Sequence, residues 1–183
     1  WSENSQSVIE TSDGFIYVTG YADSVSGGTG YDATLSKFDA DGNLLWTQTY
    51  KTAVNDYAFF ILKYSDDIFY IAGEGSPDSI NGTDAMILKV DSSGNLIWRK
   101  YYGSKHSQSF DMVRKTFGGG LSMCGYYSDS TGNNDVWIIN ADSSGNIIWQ
   151  KKYGGPLTDY SDYMKQTPDS GFVVSAVTNS FGA

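Results

Sequence analysis

A tryptophan column constrains this chain more than any other feature. Trp46, Trp98 and Trp149 are 52 and 51 residues apart. Each closes a matching phrase: Asn43-Leu44-Leu45-Trp46, Asn95-Leu96-Ile97-Trp98 and Asn146-Ile147-Ile148-Trp149. A glycine precedes each phrase (Gly42, Gly94, Gly145) and a tyrosine follows it (Tyr50, Tyr102, Tyr153). Asp32, Asp84 and Asp135 form a further column, as do Gly20, Gly73 and Gly125, so the match runs through the whole unit. The period is 51 to 53 residues, with three full copies and part of a fourth. A repeat of this length fixes the architecture before any single residue is interpreted.

Inside each unit apolar residues recur at period two, in runs too short for helices and divided by Gly, Asp, Ser and Asn, which is the pattern of strands. The first copy predicts strands near residues 5–11, 15–21, 33–38 and 44–50, and the second near 58–64, 68–73, 85–90 and 96–102. No segment reads as a helix. In the second strand both faces are apolar or small: Ile16 and Val18 against Tyr17 and Thr19, then Phe69 and Ile71 against Tyr70 and Ala72. Strands of that kind are covered on both sides. Four antiparallel strands in roughly 50 residues, buried on both faces, describe a blade of a β-propeller. The expected fold is an all-β propeller arc with blades at 1–51, 52–103 and 104–154 and a partial blade at 155–183. The turns Asp39-Ala40-Asp41-Gly42, Asp91-Ser92-Ser93-Gly94 and Asp142-Ser143-Ser144-Gly145 read as hairpins between third and fourth strands, with glycine where φ must be positive. Closed propellers have about four to eight blades, so the chain is expected to be one arc, with its open faces met by remaining blades of the same chain or by neighbouring subunits.

The net charge of −9 disfavours nucleic acid and anionic membranes, which select basic patches. No apolar stretch is long enough for direct membrane insertion. The single cysteine, Cys124, falls in a predicted strand and is expected to be a buried, inert thiol.

The phrases running from Asp13-Gly14-Phe15 to Gly20, and from Tyr31-Asp32-Ala33 through Asp39-Ala40-Asp41-Gly42-Asn43 to Trp46, resemble the bacterial and archaeal β-propeller repeats labelled SBBP. The resemblance extends over essentially the whole chain. It weakens where Asp66-Asp67-Ile68 stands for Asp-Gly-aromatic and where Ala176 replaces a glycine. It implies a secreted or cell-surface protein, often found beside adhesive or sorting domains, with no single activity. A shorter likeness links the Asp, Gly, aliphatic and Trp pattern to the tryptophan-docked blades of quinoprotein dehydrogenases, without their quinone or calcium ligands.

Chemistry-bearing residues are sparse. His106 is the only histidine and sits in a predicted inter-blade loop, which excludes a histidine-based metal cluster within this sequence. Gly118-Gly119-Gly120 joins two strands as a turn. Asp39 and Asp41 carry a D-x-D-G pattern suited to calcium, the one cofactor candidate, although Ser93 and Ser144 replace the second carboxylate in the other copies. Asn81-Gly82-Thr83 is a glycosylation sequon. Asp56, Asp159 and the Asp32, Asp84, Asp135 column could converge near the axis as carboxylate pairs, but an aspartate repeated in every blade reads better as a loop brace. The loops between second and third strands vary in length and wording while the hairpins do not, so binding is expected there. Tyr21, Tyr31, Tyr126 and Tyr127 are placed on those loops as candidate anchors for glycan or protein. The expected function is a non-enzymatic adhesion or interaction scaffold at the cell surface. The alternatives are an extracellular propeller enzyme, polysaccharide-acting or quinone-dependent, and a subunit of an appendage or filament. An enzyme should carry repeat-breaking acids or histidine at the axis, and none is evident in the sequence.

Overall fold

The computed structural model describes residues 3–23, 30–52, 54–77 and 82–181. The described residues form fourteen strands and no helix. The first blade is β1 (Glu3–Glu10), β2 (Ile16–Asp23), β3 (Tyr31–Phe38) and β4 (Leu44–Tyr50). The second is β5 (Asp56–Lys63), β6 (Ile68–Gly75), β7 (Asp84–Asp91) and β8 (Leu96–Tyr102). The third is β9 (Gln108–Lys115), β10 (Leu121–Ser128), β11 (Asn134–Ala141) and β12 (Ile147–Tyr153), and β13 (Asp159–Gln166) with β14 (Phe172–Thr178) makes the fourth, two-stranded sheet. Each sheet is an antiparallel meander in sequence order. The strands lie where the alternation predicts them. Several run about two residues past the apolar core, because Ala22 and Asp23 stay paired with Asp32 and Tyr31 in the ladder.

Successive blades pack face to face through alternate residues. Phe69, Ile71, Met86, Leu88 and Val90 of the second blade bury against Tyr17, Ala33, Leu35 and Tyr50 of the first. Their neighbours Tyr70, Ala72, Ala85 and Ile87 bury against Phe110, Val113, Leu121, Met123 and Trp137 of the third. The second blade is thus apolar on both faces for the reason period two demands. A smaller core of Met112, Cys124, Val136, Ile138 and Met164 joins the third blade to the fourth. Cys124 is fully buried and its thiol is pushed up to about 11, chiefly by burial, as expected of an inert cysteine. Innermost strands meet one another from blade to blade (β1 with β5, β5 with β9, β9 with β13). The strands therefore run outward from an axis, and the four sheets form a propeller arc.

The tryptophan and tyrosine columns clamp each hairpin to the blade before it. The Tyr50 hydroxyl donates to the Gly94 carbonyl at 2.9 Å, and the Tyr102 hydroxyl to the Gly145 carbonyl at 2.8 Å. Tyr17 and Tyr70 reach the same hairpins at Ser92 and Ser143, at 2.9 and 2.7 Å. A methyl on Gly94 would lie 2.9 Å from the Trp46 ring, and one on Gly145 would lie 3.0 Å from Trp98. Gly42, Gly94 and Gly145 have φ of 84°, 81° and 77°, as the hairpin reading requires.

A second repeated device is a bulge on every innermost strand. The register shifts past Gln6, Phe59, Asp111 and Asp162, leaving each without a partner on the second strand. The glycine column makes room for it. A methyl on Gly20, Gly73 or Gly125 would come within 1.8, 1.9 and 2.0 Å of the facing carbonyl oxygen of Asn4, Tyr57 and Ser109.

Candidate functional site on the loop face

In an antiparallel blade the start of strand one, the end of strand two, the start of strand three and the end of strand four share one face. Tyr21, Tyr31, Tyr126 and Tyr127 all lie on it, but in strands β2, β3 and β10 and not in the loops, because those strands outrun their apolar cores. The variable loops themselves fall partly outside the described residues, as does Asn81.

A repeated contact crosses each blade boundary on this face. The end of strand two in one blade meets the second residue of strand one in the next. At the first boundary Tyr21 meets Tyr57 with ring centroids 4.8 Å apart, and Tyr31 completes a triangle at 5.3 and 5.5 Å. At the third, Tyr126 meets Tyr160 at 5.6 Å. Edge-to-face geometry of this kind suits aromatic quadrupoles. At the second boundary both aromatic residues are replaced, by Glu74 and Ser109. The Tyr126 hydroxyl donates to Glu74 Oε2 at 3.2 Å, which ties the exception to the neighbouring aromatic pair. Tyr127 is separate. Its ring packs on Trp137 at 5.5 Å, its hydroxyl bonds Ser104 at 2.9 Å, and the Lys152 ammonium sits over its face.

Around Glu74 lies an acidic inner rim. Burial raises the Glu74 carboxyl above its ordinary value, opposed by the hydroxyls of Ser109, Tyr126 and Thr83. Asp111, at the bulge of β9, is pushed up to about 7 by burial first and then by the charges of Glu74 and Asp162. Asp162 holds the same bulge position on β13. Repeat-breaking acids do therefore gather at the inner rim, contrary to the expectation that this arc holds none. The sequence hid them because the bulge that aligns Gln6, Phe59, Asp111 and Asp162 is a backbone event, and a glutamine, a phenylalanine and two aspartates fill it. No protein-family model matches this chain, and no curated protein matches it.

The other aspartates serve the scaffold. Asp39 accepts from the amides of Asp41 and Asn43 at 3.0 and 2.8 Å and from the Asn43 side chain at 2.9 Å, and Asp91 and Asp142 repeat these bonds. Those hydrogen bonds hold the Asp39 carboxyl below its ordinary value. Asp39 with Asp41 is a self-contained turn. Asp84 opens its third strand and Asp32 and Asp135 are second in theirs, away from the axis, where they brace the connections between blades. The Lys51 ammonium lies 3.7 Å from Asp32, and Asp84 and Asp135 crowd the α-carbons of Gly103 and Gly154. Asp56 is held by the Thr52 hydroxyl at 2.6 Å and Asp159 by the Ser180 hydroxyl at 2.7 Å, so neither contributes to the inner rim.

Proposed function

We propose that this arc is a non-enzymatic binding scaffold whose loop face recognises glycan. The observation that carries the proposal is the repeated boundary contact: the half-buried Tyr21, Tyr31, Tyr57 cluster and the pair of half-buried Tyr126 with exposed Tyr160 flank the Glu74 and Asp111 carboxyls. Aromatic edges and faces take the apolar side of a sugar ring, while carboxyls and phenols take its hydroxyls. With a net charge of −9, neutral or amino sugars fit and anionic ones are repelled. The SBBP-like wording of the repeats supports placement outside the cell or at its surface, in adhesion. The test is affinity electrophoresis of the purified chain through neutral, amino and sulfated polysaccharides. Retardation by a neutral or amino polymer, reduced at least tenfold in Tyr57→Ala and Tyr160→Ala, is expected. Equal mobility of both variants and the parent in every gel would sink the proposal.

One observation favours a second reading, an extracellular glycan-acting enzyme. Asp111 holds its proton up to about pH 7 beside two further acids, which is the condition of a general acid. Release of reducing ends from the retarding polymer, abolished in Asp111→Asn with retardation intact, would move this reading to first place.

A further inference from the structure

The faces that the blades turn toward their successors match position by position, and two of the three are covered in the same way. Ala33, Leu35 and Tyr50 of the first blade pack with Met86, Leu88 and Val90 of β7. Ala85, Ile87 and Tyr102 of the second pack with Trp137, Ile139 and Ala141 of β11. The covering strand is each time the third of the next blade, and the hairpin that follows it completes the contact. Its glycine carbonyl, Gly94 or Gly145, accepts from the Tyr50 or Tyr102 hydroxyl.

The third blade presents the same positions, Val136, Ile138 and Tyr153, to a sheet of two strands. Met164, Phe172 and Val174 cover part of that face. No described strand pairs with the far edge of β14. What is left is an apolar trough of about 710 Å³, lined by Val136, Ile138, Trp149, Phe172, Val174 and Ala176. Tyr153 at its rim is 52% exposed, against 5% and 7% for Tyr50 and Tyr102, and its hydroxyl has no hydrogen-bond partner among the described residues.

The two covered boundaries define what fits. The occupant is a strand with apolar residues at alternate positions, followed by an Asp-x-x-Gly-Asn turn. Not every third strand of this chain qualifies. By register, β3 carries Thr34 and Ser36 where β7 carries Met86 and Leu88 and β11 carries Trp137 and Ile139. Ser36 Oγ is already engaged with Thr47 Oγ1 at 2.8 Å. The β3–β4 hairpin is thus polar on the face that would meet the trough, whereas the β7–β8 and β11–β12 hairpins match it and are held within their own blades.

We propose that the trough is a docking surface for a β-hairpin of the β7–β8 type, supplied from outside residues 1–183. Its first strand extends the fourth sheet antiparallel along β14, as β7 extends β6, so that backbone hydrogen bonds give affinity and the alternate side chains give specificity. Its apolar face fills the trough over Val136 and Ile138, and its turn carbonyl accepts from the Tyr153 hydroxyl.

The test is fluorescence anisotropy of a labelled peptide spanning residues 84–102, titrated with the full chain. Saturable binding is expected, together with slowed amide exchange in β14. A peptide spanning residues 31–50 should bind at least tenfold more weakly, because Thr34 and Ser36 replace the apolar residues. Val174→Asp, in the trough wall, should weaken binding of the 84–102 peptide at least tenfold. Tyr153→Phe, which removes only an exposed hydroxyl and leaves the fold alone, should weaken it severalfold. No binding by the parent chain overturns the proposal, as does equal binding of the two peptides or undiminished affinity in Tyr153→Phe. Self-association of the parent that buries β14 and excludes the peptide also overturns it, because the occupant is then a second copy of the chain.

Discussion

Gly42 and Gly94 occupy the same turn position with nearly the same φ, 84° and 81°, yet they carry different loads. A methyl on Gly42 would meet nothing within 4 Å, whereas one on Gly94 would meet Gln48 at 2.7 Å and the Trp46 ring at 2.9 Å. The first glycine answers only to backbone conformation, and the second also to the clamp from the preceding blade. Gly42→Ala should therefore cost the left-handed penalty alone, about 1 kcal/mol. Gly94→Ala should cost roughly 2 to 4 kcal/mol, because overpacking against two side chains adds to that penalty. Urea denaturation of both variants measures the difference. Equal losses would mean that the tryptophan column does not press on the hairpin.

Among the elements, the bulged inner strand separates what the sequence discloses from what it conceals. Trp46, Trp98 and Trp149 are legible because packing over a hairpin demands the same large ring each time, and Gly42, Gly94 and Gly145 because positive φ demands the same residue. The strands were legible too, since alternation survives wherever both faces are buried. Asp111 was not legible, because a bulge changes register without asking for any particular side chain, and Gln6, Phe59, Asp111 and Asp162 all fill it. In sequence Tyr126 reads as a loop residue and Tyr21 as the last of its strand, because strand ends past the apolar core keep ladder bonds that composition does not signal. The bulge makes a pH prediction. Folded Asp111 keeps its proton up to about 7, while in the unfolded chain it titrates near an ordinary aspartate value of about 4. Between those values the folded state binds more protons, so stability from this group is full below about pH 4 and falls as pH rises through 7. Asp111→Asn should flatten that decline. Denaturation midpoints of parent and variant compared at pH 4.5 and 7.5 test it, and an unchanged slope would show that the burial of Asp111 is relieved in solution.

Across the whole molecule stability should be graded, because each blade packs only on its neighbours and coupling in such arrays is close to one-dimensional. The second blade is covered on both faces, with Met86, Ile87 and Leu88 all at 0% exposure. The first has one covered face and leaves Val8 63% exposed, and the fourth leaves Val173 and Val177 exposed at 63% and 55% on a sheet of two strands. Amide hydrogen exchange should follow that coverage. Protection is expected to be greatest in β6 and β7, intermediate in β10 and β11, lower in β1, and least in β13 and β14. Protection in β14 equal to that in β7 would contradict the gradient and would mean that the exposed faces are covered in solution. Repeating the exchange at tenfold dilution then separates the causes: protection lost on dilution assigns the cover to a second copy pairing along the open edge, and protection retained assigns it to the chain itself.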